Sequence, residues 1–227
     1  QYTSSIFFFL FSNEILFLNL TNREHLLQFV IFLLSSKRSI FIMKYIKPLI
    51  LFILIFFSST QLSALDNVVD QLKEGGKIVI IRHAYAPGTG DPDKFLIEDC
   101  STQRNLSKEG IKQSKIIGNF FKKNKIPIDI VLSSEWCRCK DTAFYAFKNF
   151  KTISFLNSFY DPRFQSNKDK QIIELKDYIK KWQGKKNLIL ITHYVVINEI
   201  LKVSPNPGEI IISDNEFNVI GKLENKL

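Results

Sequence analysis

From residue 76 onward the chain alternates two kinds of hydrophobic pattern. Lys77-Ile78-Val79-Ile80-Ile81 follows Gly75-Gly76. A continuous β-branched run bounded by glycine predicts a strand buried on both faces. Ser107 is placed to cap a helix running to about Lys123, whose Ile111, Ile116, Ile117, Phe120 and Phe121 recur on one broad face. Pro127 ends that pattern, and Ile128–Leu132 predicts a second strand. Trp136 to Phe147 predicts a helix with Ala143, Ala146 and Phe147 inward. Thr152–Phe155 predicts a third, short strand. Ile172 to Trp182 predicts a helix with Ile173, Leu175, Tyr178, Ile179 and Trp182 on one side. Asn187–Thr192 predicts a fourth strand and Val195–Val203 a last helix. Glu209–Ser213 and Phe217–Leu223 flank Asp214-Asn215-Glu216, a hairpin turn. Strands alternating with helices predict an α/β fold, a three-layer sandwich with a mostly parallel central sheet and helices on both faces.

The N-terminal part reads differently. Eleven of the 21 Phe lie in residues 1–64, and the single Met of the chain is Met43. Residues 1–42 are expected to be upstream sequence translated in frame. After Met43 come Lys44 and Lys47, an apolar run from Leu49 to Phe57, polar Ser58 to Gln61, and Leu62-Ser63-Ala64. That is the three-part layout of a secretory signal peptide. A nine-residue helix reaches about 14 Å, and a bilayer core needs about 30 Å, so a membrane span is the weaker reading. The expected organisation is therefore 1–42 upstream, 43–64 signal peptide and 65–227 one domain. It predicts a periplasmic or secreted protein with no stable membrane span after processing.

Composition and charge narrow the function of residues 65–227. This part carries 26 basic against 20 acidic side chains, but 22 of the basic ones are scattered Lys. Nucleic acid is therefore not an expected partner. The four Arg are Arg82, Arg104, Arg138 and Arg163. A chain that uses Lys nearly everywhere keeps Arg where a planar, bidentate donor is needed.

Ligands of open α/β sheets bind beyond the carboxyl ends of the strands. The first predicted strand ends in Arg82-His83-Ala84, the second in Ser133-Ser134 followed by Arg138, and the fourth in Thr192-His193. Both histidines of this part thus stand at strand ends, accompanied by arginines. These residue types suit phosphoryl transfer: guanidinium groups clamp phosphate oxygens, and a histidine can carry a phosphoryl group covalently. No Gly-rich phosphate loop or paired-carboxylate magnesium site accompanies them. A third zinc ligand is not evident, and adjacent arginines repel a cation, so neither metal nor cofactor is expected.

On these motifs the chain resembles the histidine phosphatase (phosphoglycerate mutase-like) superfamily over about residues 76–223. The resemblance rests on Arg82-His83-Ala84, on Gln103-Arg104-Asn105-Leu106-Ser107 with Gly110, on Ser133-Ser134 with Arg138 and Thr142-Ala143, and on Thr192-His193. It is similar to a small secreted bacterial branch whose members carry a Cys shortly before a Gln–Arg–Asn–Leu-like stretch, here Cys100 to Leu106. The resemblance implies that His83 becomes the phosphohistidine and that Arg82, Arg138 and His193 form the phosphate pocket, with Arg104 contacting phosphate or substrate. It implies a phosphomonoester hydrolase acting on a small phosphorylated substrate. The alternatives are a phosphomutase on the same intermediate and a non-catalytic phosphate-binding relative.

The sequence departs from the family pattern at three places. Ala84 stands where Gly is usual, and Tyr194 where this branch often has Asn. The general acid is missing from its usual place: Asp161-Pro162-Arg163-Phe164 resembles the stretch leading to it, but the position itself falls near Gln165 or Ser166. Glu98 and Asp99 are the substitute candidates. Arg163 matches no pocket motif. In an oxidising compartment Cys100 and Cys137 are a candidate disulfide that would hold Arg104 and Arg138 together, with Cys139 left over in its helix. The alternative is three reduced thiols.

Overall fold

The computed structural model describes residues 6–11, 14–19 and 68–224. The chain divides into two compact units, Gln1–Leu62 and Ser63–Leu227. In the first, strands β1 (Ile6–Phe11) and β2 (Glu14–Asn19) pair antiparallel, Ile6 opposite Asn19 and Phe11 opposite Glu14. The expected signal peptide, residues 43–64, lies outside the described residues. None of the described helices is long and apolar enough to cross a membrane.

The second unit is built on a six-stranded sheet. Its strands are β3 (Ile78–Arg82), β4 (Ile128–Ser133), β5 (Lys151–Thr152), β6 (Asn187–Thr192), β7 (Ile210–Ser213) and β8 (Val219–Leu223), in the order β5-β4-β6-β3-β7-β8. The first four in that order are mutually parallel, and β7 and β8 add to the β3 edge antiparallel. Four helices accompany them: α1 (Lys108–Lys123), α2 (Cys137–Phe147), α3 (Lys168–Lys181) and α4 (Tyr194–Leu201). Residues 68–74 are also helical.

Alternation along the strands divides the core into two layers. Val79, Ile81, Ile189 and Ile191 pack with Ile117 and Phe121 of α1 and Ala143 of α2. Ile78, Ile80, Leu188 and Leu190 pack with Leu175 and Ile179 of α3 and Val196 and Ile197 of α4. Because β3 and β6 are covered on both faces, they read as unbroken apolar runs. The result is the three-layer α/β arrangement, with a mixed sheet.

Two local expectations need correction. The third strand is only Lys151–Thr152, and Ser154–Leu156 forms a 3₁₀ turn instead. A strand would turn Phe155 and Leu156 to opposite faces; the turn sends both into the layer beneath α3 and α4. On α3, Ile173 is 61% exposed and Ile172 is the buried neighbour. The helix begins at Lys168, before the predicted start, and its buried line runs through Gln171, Ile172, Leu175 and Ile179.

Candidate active site

The register of the sheet brings the two histidines together. Arg82 pairs with Thr192 across β3 and β6, and the His83 N–H donates to the Thr192 carbonyl at 2.9 Å. One residue beyond, the imidazoles of His83 and His193 stand with ring centroids 5.4 Å apart. Both are 2% exposed. His83 is therefore fixed by backbone pairing on one side. On the other, its Ala84 N–H donates to Thr142 Oγ1 at 3.0 Å, and that hydroxyl donates to the Arg138 carbonyl at 2.7 Å. The start of α1 packs on the same turn. Ser107 Oγ accepts from Gly110 N–H, and a Cβ at Gly110 would collide with the Tyr85 carbonyl.

The protonation of the two rings follows from their partners. His83 Nδ1 lies 2.8 Å from the Ala84 carbonyl oxygen. A carbonyl only accepts, so Nδ1 carries the proton and Nε2 keeps its lone pair. At His193, an Arg138 Nη2 lies 3.5 Å from Nδ1 and can only donate. The proton is then on Nε2, 2.9 Å from Ser134 Oγ, whose hydroxyl donates to Asn157 Oδ1 at 3.1 Å. Both imidazoles are held well below the usual histidine range. Burial is the main cause in each, followed by the charge of Arg138. Neutral pH thus finds His83 unprotonated at Nε2, the state in which an imidazole is a nucleophile.

Arg82, Arg104 and Arg138 line one cavity of about 260 Å³ with His83 and His193. Arg82 donates from Nη1 to the Pro205 carbonyl at 2.8 Å. Arg138 donates from Nη1 to Asp91 Oδ1 at 2.7 Å, an ion pair whose side chains are 4% and 6% exposed. Each of Arg82 and Arg138 keeps a buried Nε without a hydrogen-bond partner among the described residues. Arg104 is used differently: its Nε donates to the Gly90 carbonyl at 2.6 Å and its Nη1 to the Ala86 carbonyl at 2.5 Å. It closes the loop of residues 86–90 around the cavity. Burial lowers the pKa of Arg82 and of Arg104, though a guanidinium stays charged.

Glu98 and Asp99 do not line the cavity, contrary to the expectation for a general acid. Both are exposed. Asp99 is used locally, accepting from Ser101 N–H at 3.0 Å and Ser101 Oγ at 2.7 Å to cap a 3₁₀ turn. The carboxylates that line the cavity are Asp91 and Asp161. Asp91 accepts from Arg138, from Arg104 N–H at 3.0 Å and, through Oδ2, from Trp136 Nε1 at 3.1 Å. Sequence reasoning missed it; its only signal is the turn-forming Gly88-Thr89-Gly90-Asp91-Pro92 after the first histidine. Asp161 forms a forked pair with Arg163, Oδ1 to Nε at 3.0 Å and Oδ2 to Nη2 at 3.1 Å, which holds its carboxyl below the usual range. Arg163 itself does not line the cavity; its guanidinium lies 4.5 Å from the Phe95 ring centroid.

Cys100 and Cys137 form a disulfide, with Cα atoms 5.6 Å apart across 37 residues of chain. It ties the loop carrying Arg104 to the start of α2 carrying Arg138. Gln103 reinforces the junction, its Oε1 accepting from Cys137 N–H at 3.0 Å. Cys139 is buried and free, and burial pushes its thiol up to about 12. No group of three His, Cys, Asp or Glu side chains able to hold a metal occurs among the described residues.

Solved structures similar to this chain include phosphatases. The protein histidine phosphatase SixA complexed with tungstate shares 16% identity at a TM-score of 0.49, over 66% of this chain and 97% of that one. A mutant phosphoserine phosphatase of Entamoeba histolytica, in complex with phosphoserine, shares 16% at 0.47, over 66% and 98%. The alpha-ribazole phosphatase of Shigella flexneri shares 14% at 0.44, over 60% and 89%. No family profile and no curated protein matches the chain.

Proposed function

We propose that this chain is a phosphomonoester hydrolase of the histidine phosphatase superfamily, working through a phosphohistidine on His83. The observation that carries the reading is the pairing of His83 with His193 in a cavity that Arg82 and Arg138 also line. A neutral imidazole with a free Nε2 lone pair is matched to attack phosphorus. Buried guanidinium N–H groups without acceptors favour an anion and stabilise the charge spread over a transferring phosphoryl group.

The mechanism has two displacements. His83 Nε2 attacks phosphorus, the bond to the ester oxygen breaks, and the oxyanion leaves with the electron pair and takes its proton from solvent. Water then attacks the phosphohistidine, the N–P bond breaks, and phosphate is released. Asp161, ionised beside Arg163, is suited to take a proton from that water. It is poorly suited to give one to the leaving group in the first step. Phosphate release from a panel of small phosphoesters, by wild type and His83→Ala, tests the reading. Release by wild type and none by the variant is the expected result. Equal background from both would overturn it. Phosphate moving within a substrate would indicate a mutase.

The same reading places the protein in an oxidising compartment, periplasmic or secreted, as a member of the small secreted branch. The Cys100–Cys137 disulfide supports this, since such bonds persist outside the reducing cytosol. So does the signal-like segment 43–64. Expressed from Met43 in a bacterium, the exported form is expected to lose about 22 residues, read by intact mass. An unprocessed cytoplasmic product would sink the assignment.

A further inference from the structure

We infer that the alcohol displaced at this site is a phenol, seated against Tyr160 and Tyr194, so that the substrates are aryl phosphate monoesters. The inference rests on the phosphatase reading and adds the substrate class.

Three features of the cavity converge on it. First, Tyr160 and Tyr194 line its wall with ring centroids 6.1 Å apart. They remain 46% and 37% exposed, which is a large amount of aromatic surface for a protein to leave uncovered beside a charged pocket. The Arg82 guanidinium lies 5.3 Å from the Tyr194 centroid, which fixes that ring relative to the phosphate end. Aromatic rings prefer tilted or offset partners at about 4.5–7 Å, and one substrate ring against this pair meets that geometry.

Second, among the described residues no cation beyond Arg82, Arg104 and Arg138 lines the wall. Lysine is absent from that described lining, although the chain is rich in it. Arg163 is turned to Asp161, and Arg104 is tied to two backbone carbonyls. A sugar bisphosphate, a nucleoside polyphosphate or a phosphorylated carboxylic acid would leave a charge unpaired there. The cavity, about 260 Å³, is smaller than the roughly 300–1,000 Å³ that hold drug-sized ligands, and suits a phosphate bearing one ring.

Third, the leaving group departs without a proton from a carboxylic acid. Both oxygens of Asp91 accept hydrogen bonds, from Arg138 and Trp136, and both of Asp161 accept from Arg163, so each carboxylate is an acceptor here and neither offers a proton to the leaving group. A phenol ionises near pH 10, whereas an aliphatic alcohol is a far weaker acid. A phenolate can therefore leave with its electron pair and collect a proton from solvent, where an alkoxide cannot.

The test compares phenyl phosphate and 4-methylphenyl phosphate with ethyl phosphate and glycerol phosphate, and measures binding of benzylphosphonate and methylphosphonate to His83→Ala. The aryl esters should exceed the alkyl esters in kcat/KM by about 10²-fold, the part of catalysis that a missing acid denies to alkyl esters. Tyr160→Ala and Tyr194→Ala should each raise KM for the aryl esters up to about tenfold. Tyr160→Ala, whose ring does not touch Arg82, should not shift the inhibition constant of inorganic phosphate, and Tyr194→Phe should recover the KM lost in Tyr194→Ala. Benzylphosphonate should bind about tenfold tighter than methylphosphonate. Equal kcat/KM for aryl and alkyl esters would overturn the inference and leave the phosphatase reading intact. So would a Tyr160→Ala variant that weakens inorganic phosphate as much as the aryl esters. If no ester were hydrolysed while benzylphosphonate kept its advantage, the phosphatase reading would fall and aromatic recognition would stand.

Discussion

Asp91 Oδ1 and Arg138 Nη1 meet at 2.7 Å across 47 residues of chain, almost wholly out of water. The same oxygen accepts from the Arg104 backbone, so one carboxylate sets both the arginine on α2 and the loop above it. Breaking a buried ion pair from one side leaves an uncompensated charge, at a cost of about 3–5 kcal/mol. Asp91→Ala is expected to lower thermal stability markedly and to reduce kcat/KM by about 10²-fold through a misplaced Arg138. Thermal unfolding and steady-state kinetics on the same preparation check both. A stable variant with normal turnover would show that Arg138 needs no such support.

Within the histidine–arginine cluster the order of importance follows from role. His83→Ala should abolish turnover, because it removes the imidazole whose Nε2 lone pair is free, whereas the lone pair of His193 faces Arg138. Arg82→Ala, Arg138→Ala and His193→Ala should each cost roughly 10²-fold or more. Arg138→Lys should not recover activity, since Asp91 and His193 are met by separate arms of one planar guanidinium. Steady-state kinetics on folded variants ranks them.

The pH dependence of stability has a definite sign. His83 and His193 have folded pKa values depressed by burial, so below about pH 6.5 the unfolded chain binds protons that the folded one refuses. Stability is then present above that pH and declines as pH falls through it. Melting temperature measured from pH 8 to 5 should decrease on the acid side, and less steeply in a His193→Gln variant.

Arg163→Ala is expected to act through Asp161 alone. Removing the guanidinium raises the Asp161 pKa toward its ordinary value, because that partner is the largest cause of its depression. If Asp161 takes the proton from water, the acidic limb of the kcat profile moves to higher pH while KM is little changed. A loss of phosphate affinity comparable to Arg138→Ala would mean that the phosphate end of the cavity has been misplaced.

Thiol chemistry separates the three cysteines. In the native protein none should react with an aromatic disulfide reagent, since two are bridged and Cys139 is buried with its thiol pushed up to about 12. Denaturation should expose one thiol. Replacing Cys100 and Cys137 together by Ser should cost about 2–4 kcal/mol of stability and also lower kcat/KM by loosening Arg104 from Arg138. Chemical denaturation and kinetics test the two parts.

How far the sequence could be read depended on which forces were local. Val79 and Ile81 against Ile78 and Ile80 needed no partner to announce a strand covered on both faces, and the arginines and histidines stood out because such residues are scarce in this chain. Asp91 and Asp161 did not stand out. Carboxylates are common, and only the folded loops bring these two to the cavity wall. Glu98 and Asp99 were nearer to His83 along the chain than Asp161, yet the turn that Asp99 caps leaves them in solvent. The 3₁₀ turn at Phe155 and Leu156 was hidden for a related reason: a two-residue edge strand leaves too little alternation to distinguish it from a longer one.

The pairing of Arg82 with Thr192 has a consequence for how the molecule comes into being. The histidine pair belongs to two strands separated by most of the second unit, with β4, α1, α2 and α3 between them in sequence. A nascent chain that stops short of residue 193 has the nucleophile but not the ring beside it, and β3 then lacks its parallel neighbour. Competence for chemistry is thus reached late in folding, after the slow closure of a long loop. If the proposed export precedes the joining of β3 and β6, the chain travels inert and becomes competent only at its destination.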